Sequence, residues 1–347
     1  MPRRENAGEK TFSLLKQDFF DIMNQVLLIC RFLFYIKKKR LRENEMSLSR
    51  YEFEILKYLE KRGSVCCSIR ELSDEICISG STVRKMLHEL EEKKFIAADG
   101  KTLTVMPEGL NALEPYRVKR AIIVAAGFGS RMMPATADRP KPMVRVNGVR
   151  IIDTLMDALT AAGITDVTVV GGYQYDKLKD LLGKYPFLRL VENTAYAAEN
   201  NISSAMCALD QLYGGCYFCE ADLYISNPAI ITKYQYASNI LGSWSLETDD
   251  WSFKMADGYL TDYRKGNTYC YNYYGISFWT AEDCEKLRRD FAAVYQDTEK
   301  GKEYFWEFIP FVLMKEKYRV EIRPCRKQDI MEIDNYFELQ QLDAGYV

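Results

Sequence analysis

Two glycines, Gly127 and Gly129, follow directly on an apolar run, Ala121-Ile-Ile-Val-Ala-Ala126. Glycines just after a strand let the backbone come close to a phosphate, and the N–H groups of such a turn can cradle it. A dinucleotide site would need a third glycine where Met132 stands, so NAD is excluded. A second apolar run, Cys216-Tyr-Phe-Cys-Glu-Ala-Asp222, ends in two carboxylates. Glu220 and Asp222 are two apart, and residues two apart share one face of a strand. A carboxylate at a strand end beside a triphosphate suits Mg²⁺, which prefers one or two carboxylates plus phosphate oxygens.

Other chemistries are poorly served. The chain has one histidine, His88, so Ser–His and Cys–His mechanisms are disfavoured. Cys216 and Cys219 match C-x-x-C, but their spacing puts the thiols on opposite faces of a strand. No second pair or neighbouring histidine supports zinc. Ten cysteines without a paired framework read as reduced thiols in a cytoplasmic protein.

Residues 151–162 read as a helix ending at Gly163 and 166–170 as a strand. Residues 188–191 read as another strand and 216–222 as the next. This alternation predicts an α/β domain over 120–347, with a mainly parallel, mixed sheet covered on both faces. In such sheets ligands bind at the carboxyl ends of the strands. At 347 residues there is room for a second domain. Residues 46–116 carry a helical stripe (Tyr51, Phe53, Ile55, Leu56, Leu59), a helix over 69–76 and another over 81–90. A hairpin turning at Asp99-Gly100 follows.

These three helices and the hairpin resemble a winged helix-turn-helix domain, which would present Ser81, Thr82, Arg84 and Lys85 to DNA. The segment has more acidic than basic side chains, which argues against generic DNA binding and for a regulatory or dimerising module. Residues 1–45 are read as an extension, either a peripheral helix or sequence upstream of a start at Met46. Its apolar stretch, 19–36, contains Asp21, Asn24, Gln25 and Arg31, so it makes a poor membrane span.

The string from Ala125 onward, A-A-G-x-G-x-R, then P-x-T, then P-K-P, resembles the signature of sugar-phosphate and alcohol-phosphate nucleotidyltransferases. The resemblance implies a Rossmann-like nucleotidyltransferase fold. Ala126, Gly127, Gly129 and Ser130 would form the loop over the nucleoside triphosphate. Arg131 would hold the triphosphate, and Lys141, between two prolines, would meet the phosphate being transferred. Asp222 and Asp334 match the family's metal ligands, so the cofactor implied is Mg²⁺.

The stretch Tyr196-Ala-Ala-Glu-Asn-Asn201 followed by Ser204, with Gly275-Ile-Ser-Phe-Trp279 and Phe305-Trp-Glu307, is similar to the bacterial CTP:phosphocholine cytidylyltransferases. That branch implies Asn201 and Ser204 near the nucleotide, and CTP and phosphocholine as substrates. A choline pocket of Trp251, Phe305, Trp306, Glu307 and Glu332 is also implied. Physics agrees with a cationic headgroup: a quaternary ammonium is held by aromatic faces, at about 0.5–2 kcal/mol per ring, and by carboxylates. The expected reaction is Mg²⁺-dependent CMP transfer with release of pyrophosphate. Two alternatives stand beside it: another small alcohol phosphate or sugar 1-phosphate as acceptor, and a DNA-binding regulator using the transferase fold as a sensor.

Overall fold

The computed structural model describes residues 47–297 and 299–346. They fall into two compact units, one ending at Pro115 and one running from Tyr116. The stretch 19–36 and the rest of the extension lie outside the described residues. Among those described, no helix is long and apolar enough to cross a membrane.

The first unit contains α1 (Arg50–Arg62), β1 (Val65–Cys66), α2 (Ile69–Ile76), α3 (Gly80–Glu92), β2 (Ile96–Asp99), β3 (Thr102–Val105) and α4 (Pro107–Leu113). Local sequence starts its helices. Ser49 and Ser68 accept the N–H of Glu52 and Glu71, and those glutamates reach back to the capping residues. Each box satisfies donors that a helix start leaves orphaned. Gly63, with φ +73, ends α1. The strands pair antiparallel in the order β1-β3-β2. The apolar stripe is inside except for Tyr51, which is exposed: Phe53, Ile55, Leu56 and Leu59 are buried, with Leu72, Val83 and Leu90 of the following helices. The strand β1 has no sequence signal, because two residues carry no readable period.

The second unit runs β4 (Arg120–Ala125), β5 (Arg145–Val146), β6 (Val149–Arg150), α5 (Ile151–Ala161), β7 (Asp166–Gly171), α6 (Tyr175–Leu178), β8 (Arg189–Glu192), α7 (Ile202–Cys207) and β9 (Cys216–Glu220). It continues β10 (Leu223–Ile225), β11 (Asn239–Ala256), β12 (Tyr259–Trp279), α8 (Ala281–Asp297), β13 (Glu321–Pro324), β14 (Ile330–Glu332) and α9 (Tyr336–Leu342). The main sheet has the order β11-β13-β12-β9-β4-β7-β8. β4, β7, β8 and β9 are parallel, and β12 lies antiparallel to β9.

Alternation in β4 explains the layers. Ala121, Ile123 and Ala125 join a core with Leu155 and Leu159 of α5. Ile122 and Val124 join the opposite core with Ile202 of α7 and Leu287 of α8. A strand buried on both faces must read as a continuous apolar run, as this one does. The fold is an α/β fold with a mixed, mainly parallel sheet covered on both faces.

Two pairings place the site. β4 and β9 run side by side in register, Val124 opposite Glu220, so their carboxyl ends finish together. β10 pairs antiparallel with β14, Leu223 opposite Glu332, and Ile333 N–H donates to the Asp222 carbonyl at 3.2 Å. The long-range pairing brings Asp334 beside Asp222. The strand expected over 216–222 is shorter than its sequence suggests and ends at Glu220. Glu220 and Asp222 are therefore not on one strand, because the chain bends at Ala221, yet both line the same cavities.

Candidate active site

The loop after β4 is shaped by Gly129. Its φ is +60, which favours glycine, and a Cβ there would sit 2.9 Å from Lys141 Cβ and 3.2 Å from Thr136 Cγ2. The loop therefore closes directly onto the lysine turn. Thr136 Oγ1 donates to the Gly129 carbonyl at 2.9 Å and fixes that approach. Pro140 and Pro142 flank Lys141, which begins a short turn, Lys141–Met143.

Lys141 Nζ donates to Asp222 Oδ2 at 2.7 Å and to Asp334 Oδ1 at 3.1 Å. Arg131 Nη2 lies 3.0 Å from the same Asp334 oxygen. Burial disfavours the charge on Lys141, but Asp222 and Asp334 outweigh it and hold its pKa above the ordinary lysine value. Oxygens of Asp222, Glu332 and Asp334 lie within 4.8 Å of one another. Asp222 Oδ1 is buried and has no hydrogen-bond partner. An oxygen-only cluster with an unpartnered carboxylate oxygen fits a hard divalent cation such as Mg²⁺.

Two cavities meet at this cluster. One, of about 630 Å³, is lined by Gly127, Phe128, Gly129, Ser130, Arg131 and Lys141. The other, of about 320 Å³, is lined by the carboxylates of Glu220, Asp250, Glu307 and Glu332. Trp251, Tyr263, Tyr273, Tyr274 and Phe305 form its aromatic wall, with Asn201 and Lys265 also on the lining. Arg131, Glu220, Asp222, Phe305 and Asp334 line both. A phosphate-cradling loop thus opens on one side of the acidic cluster and an acidic, aromatic chamber on the other.

The chamber's carboxyls are perturbed. Burial, then the charges of Glu307 and Asp222, push Glu220 well above the usual carboxylate range. Burial also raises Glu307. Burial and the charges of Asp222 and Asp334 raise Glu332. Perturbed carboxyls gathered in a cleft are the mark of a functional site.

The residues singled out by sequence divide between the two cavities and the core. Gly127, Gly129, Ser130, Arg131 and Lys141 line the larger cavity. Ala126 is buried beneath the loop, and its carbonyl accepts the Tyr173 N–H at 3.0 Å. Trp251, Phe305, Glu307 and Glu332 line the smaller chamber. Trp306 does not. It is fully buried behind the wall, with its ring 4.3 Å from that of Phe218, and its Nε1–H donates to Glu220 at 3.1 Å.

Asn201, expected near the nucleotide, lines the smaller chamber. Ser204 is buried, its hydroxyl accepting from Asn193 Nδ2 at 3.0 Å, and so lies among neither cavity's lining. Sequence reading missed Tyr263, Lys265 and Phe128. The first two lie on β12, whose polar, bulged sequence hides its pairing with β11. Phe128 is the variable residue between the two glycines; its ring packs 5.6 Å from Tyr173 and 5.2 Å from Tyr196.

Comparison with known proteins agrees with this geometry. Residues 121–238 match the family model of the MobA-like NTP transferase domain. A 2-aminoethylphosphonate cytidylyltransferase of Lancefieldella rimae is 38% identical over 230 residues, covering 65% of this chain and 93% of that protein. A choline-phosphate cytidylyltransferase of Streptococcus pneumoniae is 30% identical over 234 residues, covering 65% of this chain and 96% of that protein. The solved CTP:phosphocholine cytidylyltransferase of Streptococcus pneumoniae superposes with a TM-score of 0.60 at 28% identity, covering 67% of this chain and all of that one. With its loop, lysine and acidic cluster assembled at the strand ends and two relatives matched over nearly their whole length, the chain belongs to the cytidylyltransferases, enzymes of the nucleotidyltransferase family with the MobA-like NTP transferase domain.

Proposed function

We propose that the protein transfers CMP from CTP to a small phosphate or phosphonate that carries a cationic nitrogen, releasing pyrophosphate. Phosphocholine is the acceptor expected from sequence, and 2-aminoethylphosphonate is the substrate named for the 38% identical relative. Both belong to this class. The observation that carries the reading is the smaller chamber, with six acidic side chains and an aromatic wall. A neutral sugar would find few ring-matched donors there, whereas a cation finds compensating charge.

The chemistry follows from the two cavities. CTP would lie under the Gly127–Arg131 loop and the acceptor in the chamber. An anionic oxygen of the acceptor attacks the α-phosphorus, the bond to the β-phosphate oxygen breaks, and pyrophosphate leaves. The attacking oxygen is already ionised, so no general base is needed, in keeping with a domain that has no histidine. Both substrates are polyanions, so positioning and charge neutralisation are the main tasks. Arg131 and Lys141 stabilise charge on the phosphates. Asp222 and Asp334 would hold Mg²⁺, whose positive charge offsets that of the triphosphate.

Residues 47–115 we read as a winged helix-turn-helix module with a regulatory task. Some of its cations are paired with its own acids, as in the Arg62–Glu75, Lys85–Glu89 and Lys93–Glu52 pairs. The nine described cysteines are free, which suits a reducing cytoplasm.

The test is pyrophosphate release with Mg²⁺, each nucleoside triphosphate, and phosphocholine, 2-aminoethylphosphonate or glucose 1-phosphate. Turnover with CTP and the nitrogen-bearing acceptors is expected. Equal or faster turnover with glucose 1-phosphate would overturn the reading.

A further inference from the structure

The end of the acceptor chamber formed by Glu220 and Glu307 is organised around one amide. Asn201 Nδ2 donates to Glu220 Oε1 at 3.3 Å and to Glu307 Oε2 at 3.4 Å. Its own oxygen accepts the backbone N–H of Trp306 at 2.8 Å, which fixes which way the amide faces. The Trp306 indole donates to Glu220 Oε1 as well. Gly275 completes the fit: its φ is +64, and a Cβ there would lie 2.5 Å from Glu220 Cγ.

Glu307 is 4% exposed. Among the described residues no lysine, arginine or histidine forms an ion pair with Glu220 or Glu307. A buried carboxyl, Glu307, and a half-buried one, Glu220, face each other with no protein cation between them, which leaves that place to a cation on the ligand.

The aromatic wall is less available than its composition suggests. Trp251 stacks one face on Tyr263 at 5.1 Å and 9°. The rings of Phe305 and Phe308 meet it edge-on, at 6.0 Å and 5.5 Å. Trp306 is buried away from the chamber. Cation–π binding needs an open ring face, and here much of the ring surface is taken up by other rings. The carboxyls meet neutral donors, the Asn201 amide and the Trp306 indole, and each other, but no protein cation among the described residues, and hydrogen bonds to charged groups are about twice as strong as neutral ones.

We propose that Glu220 and Glu307, oriented by Asn201, form a specificity site that selects acceptors whose ammonium bears N–H groups over acceptors with a quaternary ammonium. This rests on the proposed function and narrows its acceptor class. A primary ammonium donates directly to the paired carboxylates. Each added methyl removes a donor and moves the nitrogen away from the oxygens. Asn201 is then a positioning residue of the acceptor site.

The experiment is a methylation series. Phosphoethanolamine, its N-methyl and N,N-dimethyl forms and phosphocholine are each assayed with CTP and Mg²⁺ using the full chain. The expected result is a kcat/KM that falls with each methyl, about 10- to 100-fold across the series, with the loss in acceptor KM and no change in KM for CTP. Phosphocholine equal to or better than phosphoethanolamine would overturn the inference while leaving the proposed function standing. Turnover of glucose 1-phosphate with none of the series would overturn both. Asn201→Ala and Glu307→Gln supply the second measurement. Both should flatten the series and raise the acceptor KM at unchanged KM for CTP, with an unaltered circular dichroism spectrum. A series as steep as in the unaltered protein would remove these residues from the selection.

Discussion

Lys141 Nζ sits 2.7 Å from Asp222 Oδ2, so the lysine suited to the transferred phosphate is held by a carboxylate suited to the metal. In the free protein each neutralises the other. A nucleoside triphosphate offers Lys141 a stronger anionic partner, and the lysine's departure frees Asp222. Nucleotide and metal should therefore bind with positive coupling, which is typically about 5- to 150-fold between linked sites. Mn²⁺ titrated into the protein and followed by electron paramagnetic resonance should bind weakly alone and more tightly with CTP. Lys141→Met should bind Mn²⁺ more tightly than the unaltered protein without nucleotide. It should also lose about 100- to 1000-fold in kcat, roughly 2.7–4 kcal/mol, the scale for removing a preorganised charge donor. Unchanged Mn²⁺ affinity in the variant would show that the lysine does not compete for the carboxylates.

The two loop glycines should respond differently to the same methyl group. Gly129→Ala forces a side chain into φ +60 and against Lys141 Cβ. A left-handed residue with a Cβ costs about 1–2 kcal/mol, so the variant should melt earlier and lose kcat with its displaced lysine. At Gly127 the backbone has no positive φ, and a Cβ would meet nothing within 4 Å. Gly127→Ala should keep its melting temperature and instead raise KM for CTP, because the methyl would stand where the phosphate approaches. Identical losses of stability in both variants would contradict this division.

The loop side of the site was legible because its determinants are local. An apolar strand, a glycine turn and a proline-flanked lysine lie within about one supersecondary unit, and each constrains its own backbone. The acidic, aromatic side was not. Its chamber is built by β11 and β12, a hairpin of 18 and 21 residues with several register shifts, where polar stretches break the period-2 pattern. Whether Trp306 turned its ring into the chamber depended on Phe218 and Phe291, far away in sequence. Asn201 illustrates the same limit: nothing in its neighbours foretold the hydrogen bonds that join it to Glu220, Glu307 and Trp306. The motif singled out Asp222 and Asp334, but Glu332 joins their cluster only through the pairing of β10 with β14.

In the first unit, Glu52 is a buried carboxylate held by Lys93 Nζ at 2.6 Å and by the Ser49 N–H at 2.8 Å. Burial alone would raise its pKa, but the bonds from Lys93 and Ser49 outweigh it and depress the value. A depressed folded-state pKa contributes stability above the ordinary glutamate value and loses it as pH falls through the folded value. Lys93→Met leaves the carboxylate without its cation and should cost about 1–3 kcal/mol near neutral pH. Hydrogen exchange over residues 50–62 should show weaker protection in the variant at pH 7. The difference should shrink below about pH 4, where Glu52 is protonated in both unfolded chains. A difference that persists undiminished in acid would mean that Lys93 acts by packing rather than by charge.

Acceptor binding should depend on pH through Glu307. Burial pushes its carboxyl up to about 7, so below that value the group holds its proton. A cationic acceptor favours the ionised carboxylate, and binding at lower pH must first expel the proton. The acceptor's ammonium stays charged to about pH 10, so it does not limit this window. Acceptor KM should therefore fall as pH rises through about 7, and kcat/KM for the acceptor should drop up to about tenfold per unit below it. The acceptor's phosphate titrates near about pH 6 and adds its own inflection. Glu307→Gln separates the two, since it should abolish the inflection near 7 while leaving the phosphate's own. KM for CTP should show neither effect of the substitution. An acceptor profile for Glu307→Gln that still bends near 7 would assign that inflection to another group.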